Sequence, residues 1–252
     1  PLPNKNINIK TKIKIFRIHR FFCNSFYTKS YVDKSLGINS VVLYPPVELK
    51  PKKVKKENII LHVGRFRIRD AVTGIDDYKK QGFMVDIFKK MIKMGLLDWK
   101  FVLAVSVKKE DQKIFETFKE RTKGYPIEFI INKNNNDLWD IYSKSKIYWH
   151  ASGFSEDLEK YPEYAEHFGI STVEAMGAGA VPVVINAGGQ REIVASGKNG
   201  FLWNSLDELI EKTQLLISDE KLWLQMSQQA VKRARDFAGN RFCYELYKIL
   251  NL

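Results

Sequence analysis

Two carboxylates, Glu166 and Glu174, are separated by seven residues that include Phe168, Gly169, Ile170, Ser171 and Thr172. A helix starting near Gly169-Ile170 places Glu174 about one turn inside it and leaves Glu166 in the loop ahead, so both acids face one cleft. The amides between them sit at a glycine-led helix start, where unpaired N–H groups and the helix dipole both favour an anion. Carboxylates beside such a site cannot bind phosphate themselves and are suited to hydroxyls. The combination suits a sugar joined to a nucleoside diphosphate. Spacing alone leaves a plainer alternative open, in which Ser171 or Thr172 caps the helix and the two acids are merely solvated.

Other charged side chains extend this chemistry. Arg65 ends a short apolar run, and its guanidinium suits bidentate contact with phosphate, although a surface ion pair is the alternative. Gly64 beside it is expected to let the backbone turn tightly toward a ligand. Lys79 and Lys80 supply two point charges. His150 closes another apolar run, where it either touches a sugar or phosphate or serves as a hydrogen-bonded structural residue. His62 and the tryptophans Trp99, Trp139, Trp149, Trp203 and Trp223 are expected in the core. The acidic, Tyr-rich stretch from Gly153 to Glu163 is expected to form a cleft loop that shapes sugar specificity.

The pattern around these residues predicts what positions them. Short apolar runs at 59–63, 101–105, 127–131, 147–150, 181–185 and 200–203 read as strands. Between them lie helical patterns over 84–92, 112–122, 137–143 and 172–177, and helical periodicity dominates from 206 to 250. Strands alternating with helices imply an α/β fold, a doubly wound Rossmann-like parallel sheet with its ligand beyond the carboxyl ends of the strands. Ahead of this region, 12–22 alternate with a period of two, as in a strand. Asn24-Ser25 should cap a helix over 26–36 that Gly37 ends, and 41–44 read as another strand. The lysine-rich stretch 48–57, with Pro51, is expected to be an exposed linker and a domain boundary.

Composition narrows the classes further. The chain has 252 residues and a formal net charge of +12, and with 44% apolar and 28% charged residues it is globular rather than disordered. Residues 1–57 carry 13 Lys and Arg against only Asp33, Glu48 and Glu57, so the basic surplus is N-terminal. Such an arm suits nucleic acid, anionic lipid or a phosphorylated ligand, or is simply a solvated face. Phe16, Phe21 and Phe22 within it suit base stacking or insertion at a membrane interface. Cys23 and Cys243 make neither a disulfide framework nor a zinc cluster. No apolar run reaches the roughly 18–20 residues that span a bilayer. No signal peptide is recognisable, and a start at Pro1 suggests a fragment of a longer protein.

The longer text from Glu166-His167-Phe168-Gly169-Ile170-Ser171-Thr172-Val173-Glu174 through Gly188-Gly189-Gln190-Arg191-Glu192 to Asn199-Gly200-Phe201-Leu202 carries a resemblance. It closely resembles the donor-binding half of retaining glycosyltransferases of family 4, which have the two-domain B-type fold. Asn24-Ser25-Phe26-Tyr27, Val42-Leu43-Tyr44-Pro45-Pro46-Val47, Val63-Gly64-Arg65-Phe66 and Lys79-Lys80-Gln81 resemble further segments of that family. The resemblance implies that Glu174 holds the ribose hydroxyls and that Glu166 contacts the transferred sugar near its developing positive charge. It implies that Arg65 and Lys79 neutralise the diphosphate, with Lys80 sharing that work. The amides of Phe168 to Thr172 would take sugar hydroxyls and phosphate oxygens, and 131–133, ending at Lys133, would read the base.

On the same ground no metal or other cofactor is expected, and the donor is a UDP- or GDP-linked sugar. The intact enzyme would transfer a hexose or related sugar, with retention, to a saccharide or lipid-linked acceptor. A cytoplasmic location, with peripheral contact at a membrane face, is expected. Residues 1–47 would be the tail of the N-terminal acceptor domain, 48–57 the linker and 58–252 the donor domain, inactive by itself. Two departures stand out: Arg191 replaces the proline usual after Gly-Gly-Gln, and 67–78 form an insertion. Two rivals are a glycosidase using the paired acids and a basic nucleic-acid or membrane-surface binding module. A sugar-nucleotide epimerase lacks the matching acids.

Overall fold

A computed structural model describes residues 9–66 and 77–251. The insertion read from 67 to 78 therefore lies outside the described residues except for Asp77 and Tyr78, as does the start of the basic arm. In chain order the first elements are α1 (Ile9–Phe16), β1 (Phe22–Cys23), α2 (Phe26–Leu36) and β2 (Val41–Val42). A second run follows: β3 (Glu57–Arg65), α3 (Gln81–Lys93), β4 (Lys100–Ser106), α4 (Gln112–Glu120), β5 (Ile127–Ile131), α5 (Asn135–Lys144) and β6 (Ser145–His150). The chain ends with α6 (Ile170–Gly177), β7 (Val181–Ile185), α7 (Gln190–Ile193), β8 (Phe201–Trp203), α8 (Leu206–Ser218), α9 (Glu220–Ala234) and α10 (Gly239–Leu250).

Six strands form one sheet of order β5-β4-β3-β6-β7-β8, and every neighbouring pair is parallel. The order reverses between β3 and β6, which is where doubly wound sheets bind ligands. Alternation along each strand sends side chains to two separate cores. On one face Ile60, Phe101, Leu103, Trp149 and Val183 pack against α3, α4 and α8 through Met84, Phe88, Phe115, Phe118 and Leu209. On the other, Ile59, Leu61, Val102, Tyr148 and Val184 pack with Trp139 and Tyr142 of α5, Val173 and Met176 of α6 and Ala230 of α9. With both faces covered, the strands read as continuous apolar runs, as parallel sheets must. His62 and all five tryptophans are buried as expected.

The N-terminal part departs from the sequence pattern in one respect. The alternation over 12–22 predicts a strand, yet Ile9–Phe16 form a helix and strand pairing is confined to Phe22–Cys23 against Val41–Val42. Ile9, Ile13 and Phe16 also satisfy helical spacing, so the pattern was degenerate. A strand further needs a partner, and β2 offers only two residues. The α2 helix behaves as read: Ser25 Oγ accepts from Thr28 N at 2.9 Å, and Gly37 ends it in a left-handed conformation with φ 65°. Residues 51–55 are exposed. Beyond them Lys56 turns inward, its Nζ donating to the carbonyls of Ser145 (2.8 Å) and Ala178 (2.7 Å), and β3 already begins at Glu57.

Candidate functional site

An open cleft of about 690 Å³ lies beyond the carboxyl ends of β3, β4 and β5. Its lining includes Gly64, Arg65, Lys79, Lys133, Glu166, Phe168, Gly169, Ile170, Ser171 and Glu174. Ten of the thirteen residues singled out in the sequence thus meet in one place. Lys80, His150 and Thr172 do not line it. Lys80 Nζ is taken by Glu156 Oε1 at 2.5 Å. Thr172 is fully buried, and His150 stands one layer behind Glu166.

The α6 N-terminus opens into this cleft. Gly169 precedes it with φ 121°, and no side chain caps it. Capping by Ser171 or Thr172 is therefore not what happens; Ser171 Oγ instead shares a 2.7 Å hydrogen bond with Tyr148 Oη. Among the described residues, the amides of Gly169, Ile170 and Ser171 donate to nothing within the chain, leaving them available to an anion.

The loop that carries Glu166 is fixed from below by the Gly188-Gly189 pair. Gly189 N donates to Glu166 O at 2.8 Å. A Cβ on Gly188 would stand 2.3 Å from Glu166 O, and one on Gly189 2.5 Å from the Phe168 Cα. Only glycine allows that approach, which gives the motif a physical reason the sequence alone did not show. Gly64 has a similar role and corrects the expected tight turn. It lies within extended β3, paired with Val105, and a Cβ there would sit 3.1 Å from His62 Nε2.

The two acids differ in their surroundings. Glu174 Oε2 accepts from Tyr142 Oη at 2.8 Å, and burial raises its carboxyl above the ordinary value against that bond. Glu166 Oε2 accepts from Lys79 Nζ at 2.7 Å and lies 3.2 Å from His150 Nε2. Burial alone would push the Glu166 carboxyl up, but the His150 hydrogen bond and the Lys79 charge together hold it well below the usual carboxylate range. His150 itself is pushed down by burial, against the pull of Glu166. Neighbouring acids with opposite shifts suit different tasks.

Several supports had little or no signal in sequence. Asp77 accepts from the amides of Gln81 (2.9 Å) and Gly82 (2.7 Å), and Lys80 takes a left-handed φ of 54°, which together aim Lys79 from the start of α3. Asn132, with φ 50°, clasps Val107 through both polar atoms of its amide and so sets the loop before Lys133. Tyr142, which holds Glu174, and Tyr148, which holds Ser171, were given no role by the sequence. Arg191 turns away from the cleft: its Nε donates to Asn186 O and Oδ1 at 3.0 and 2.9 Å. Among the described residues no cluster of three His, Cys, Asp or Glu side chains is placed to hold a metal ion.

A parallel sheet of this order, with an open helix start and basic side chains at its switch point, defines a doubly wound α/β domain with a cleft suited to an anion. More narrowly, the chain belongs to the glycosyl transferases group 1 family, which matches residues 48–235. It is 25% identical over 239 residues to the GDP-Man:Man(3)GlcNAc(2)-PP-Dol alpha-1,2-mannosyltransferase of Dictyostelium discoideum, covering 86% of this chain and 43% of that protein. It is 24% identical to the trehalose synthase of Thermococcus litoralis, covering 84% of this chain and 52% of that one. The chain thus spans about half the length of these relatives. Anabaena HepE in complex with UDP shares the fold with a TM-score of 0.73 at 17% identity, over 92% of this chain and 63% of that one. Sucrose-phosphate synthase from Thermosynechococcus elongatus does so with a TM-score of 0.73 at 16% identity, over 95% and 59%. The architecture is that of B-type glycosyltransferases.

Proposed function

We propose that this chain is the donor-binding part of a retaining glycosyltransferase and holds a UDP- or GDP-linked sugar in the cleft. The observation that carries this reading is the meeting of Arg65 and Lys79 with the open α6 N-terminus, flanked by Glu166 and Glu174. In this reading Arg65, Lys79 and the α6 amides take the diphosphate, and their fixed charges stabilise it as it leaves. Glu174 binds the ribose hydroxyls, Glu166 the transferred sugar, and the segment ending at Lys133 meets the base. The nucleotide bound by HepE and the sugar nucleotides named for the relatives support this choice of ligand.

The whole protein would move a hexose or related sugar to a saccharide or lipid-linked acceptor. Substitution would occur on the leaving-group face: the acceptor hydroxyl attacks the anomeric carbon, the bond to the diphosphate breaks, and a departing phosphate oxygen takes the proton. No protein nucleophile and no metal enters this scheme, and the enzyme would work at the cytoplasmic face of a membrane.

Calorimetric titration of the chain with UDP, GDP and their sugar conjugates tests the reading. One nucleotide should bind selectively, undiminished by EDTA, and Glu174→Ala and Arg65→Ala should each weaken it about tenfold or more. A folded chain that binds none of them would overturn the reading.

A further inference from the structure

We infer that His150 is a positioning residue that grips Glu166 Oε2 from behind the cleft and leaves Oε1 to the sugar of a bound sugar nucleotide, an inference that rests on the donor-site reading above. Three observations carry it. His150 closes β6, is 1% exposed and does not line the cleft, so it touches no ligand directly. Its Nε2 lies 3.2 Å from Glu166 Oε2, the same oxygen that takes Lys79 Nζ at 2.7 Å. Among the described residues Oε1 accepts no hydrogen bond.

The ring itself points the same way. A carboxylate oxygen only accepts, so Nε2 must carry the proton and Nδ1 of a neutral imidazole is left as a bare acceptor. That Nδ1 is buried with no partner among the described residues. The neighbouring histidine shows what a structural imidazole does at this depth. His62 engages both nitrogens, Nδ1 with Trp149 O at 3.1 Å and Nε2 with Gln81 Nε2 at 3.4 Å, and its ring centre lies 6.1 Å from that of His150. An orphaned buried acceptor is costly, and the one side-chain hydrogen bond that His150 makes among the described residues is to the acid of the cleft.

The consequence concerns ligand exchange at Lys79. In the free site Lys79 and His150 share Glu166 Oε2. Once a diphosphate draws Lys79 away, His150 is the partner that remains, and it keeps the carboxylate from swinging after the ammonium. Nucleotide binding as such does not need this grip; binding of the sugar does.

Two measurements on the full chain test it. In calorimetry with UDP and UDP-glucose, and with GDP and GDP-mannose, His150→Phe keeps the ring volume and loses the donor. It should weaken the sugar nucleotide about tenfold while leaving the bare nucleotide within about twofold. His150→Gln, whose Nε2 reaches the same position, should restore the sugar nucleotide to within about threefold of wild type. Equal weakening of both ligands, or of neither, overturns the inference. Absence of all nucleotide binding in the wild type would instead count against the donor-site reading. Independently of any ligand, nitrogen NMR of the imidazoles should show His150 as the Nε2–H tautomer and a changed Nε2 signal in Glu166→Gln. An Nδ1–H tautomer overturns the inference even if His150→Phe fails to fold.

Discussion

The sheet domain and the segment ahead of it are built on opposite principles. From β3 to β8 the chain buries large side chains on both faces of one sheet, with Trp149, Phe101 and Trp203 fully enclosed. Among the described residues between α1 and β2 there is no comparable core. No residue of α2 is buried, and Phe16 (92% exposed), Phe26 and Phe22 stand open to solvent. What ties this segment to the domain is a few directional contacts. The Glu192 carboxylate accepts from the amides of Phe26 and Tyr27, both at 2.8 Å, and from Tyr44 Oη at 3.0 Å. Tyr27 Oη donates to Pro162 O, and Arg20 donates to the Ile249 carbonyl. Apolar burial, which scales with area, dominates the first region; oriented polar contacts fix the position of the second.

The largest break in that comparison comes from the core. Phe101→Ala removes a ring packed against Phe88 and Trp149 and should cost about 3–5 kcal/mol in equilibrium denaturation, whereas Phe16→Ala should stay within about 0.5 kcal/mol. Similar losses at the two positions would mean that the N-terminal segment shares the core after all.

Acid should expose the same asymmetry. Burial, with a smaller push from His150, lowers the pKa of His62 from 6.5 to about 3. Below pH 6.5 the unfolded chain binds a proton that the folded chain refuses, so stability is complete above that pH and falls as pH drops toward 3. By about pH 4 the loss should reach roughly 3 kcal/mol. The lowered Glu166 carboxyl adds to the loss at the acid end, while the raised Glu174 works against it. His62→Asn keeps a donor for Trp149 O and removes the titration, and its denaturation midpoint should be flatter across this window. An unchanged acid slope in the variant would refute the assignment to His62.

The smallest global effect belongs to the tether. Glu192→Ala should cost about 1–2 kcal/mol, concentrated in α2. Hydrogen exchange at the Phe26 and Tyr27 amides should speed up about tenfold or more while β3, β4, β6 and β7 keep their protection. Uniform loss of protection would show that the two regions unfold together.

Much of the sheet domain was legible beforehand because its signals are local. The runs at 59–63, 101–105, 127–131, 147–150 and 181–185 lie within β3, β4, β5, β6 and β7, and Ser25 and Gly37 mark the ends of α2. Where the N-terminal pattern misled, at α1, the same residues fit two periods and only the lack of a long partner strand decided between them. The two acids stood out by their spacing, but their roles, and those of Arg65, Lys79 and Lys80, rested on the resemblance to the family's motifs. Tyr142, Tyr148, Asn132 and Glu192 did not stand out, because each acts on a partner far away in the chain: Tyr142 on Glu174, and Glu192 on Phe26 and Tyr27.

By itself, then, the sequence determined the alternation of strands and helices, the glycine-led start of α6 and the set of charged residues near it, since periodicity and capping are written within a few neighbouring residues. The tertiary structure decided which of those charges meet. It brought Lys79 onto Glu166 across 87 positions, set His150 behind that acid rather than in the cleft, and seated the Gly188-Gly189 pair under the loop that carries it. Such encounters depend on how the parallel crossovers stack β3 beside β6 at the switch point, and no local pattern encodes that distance.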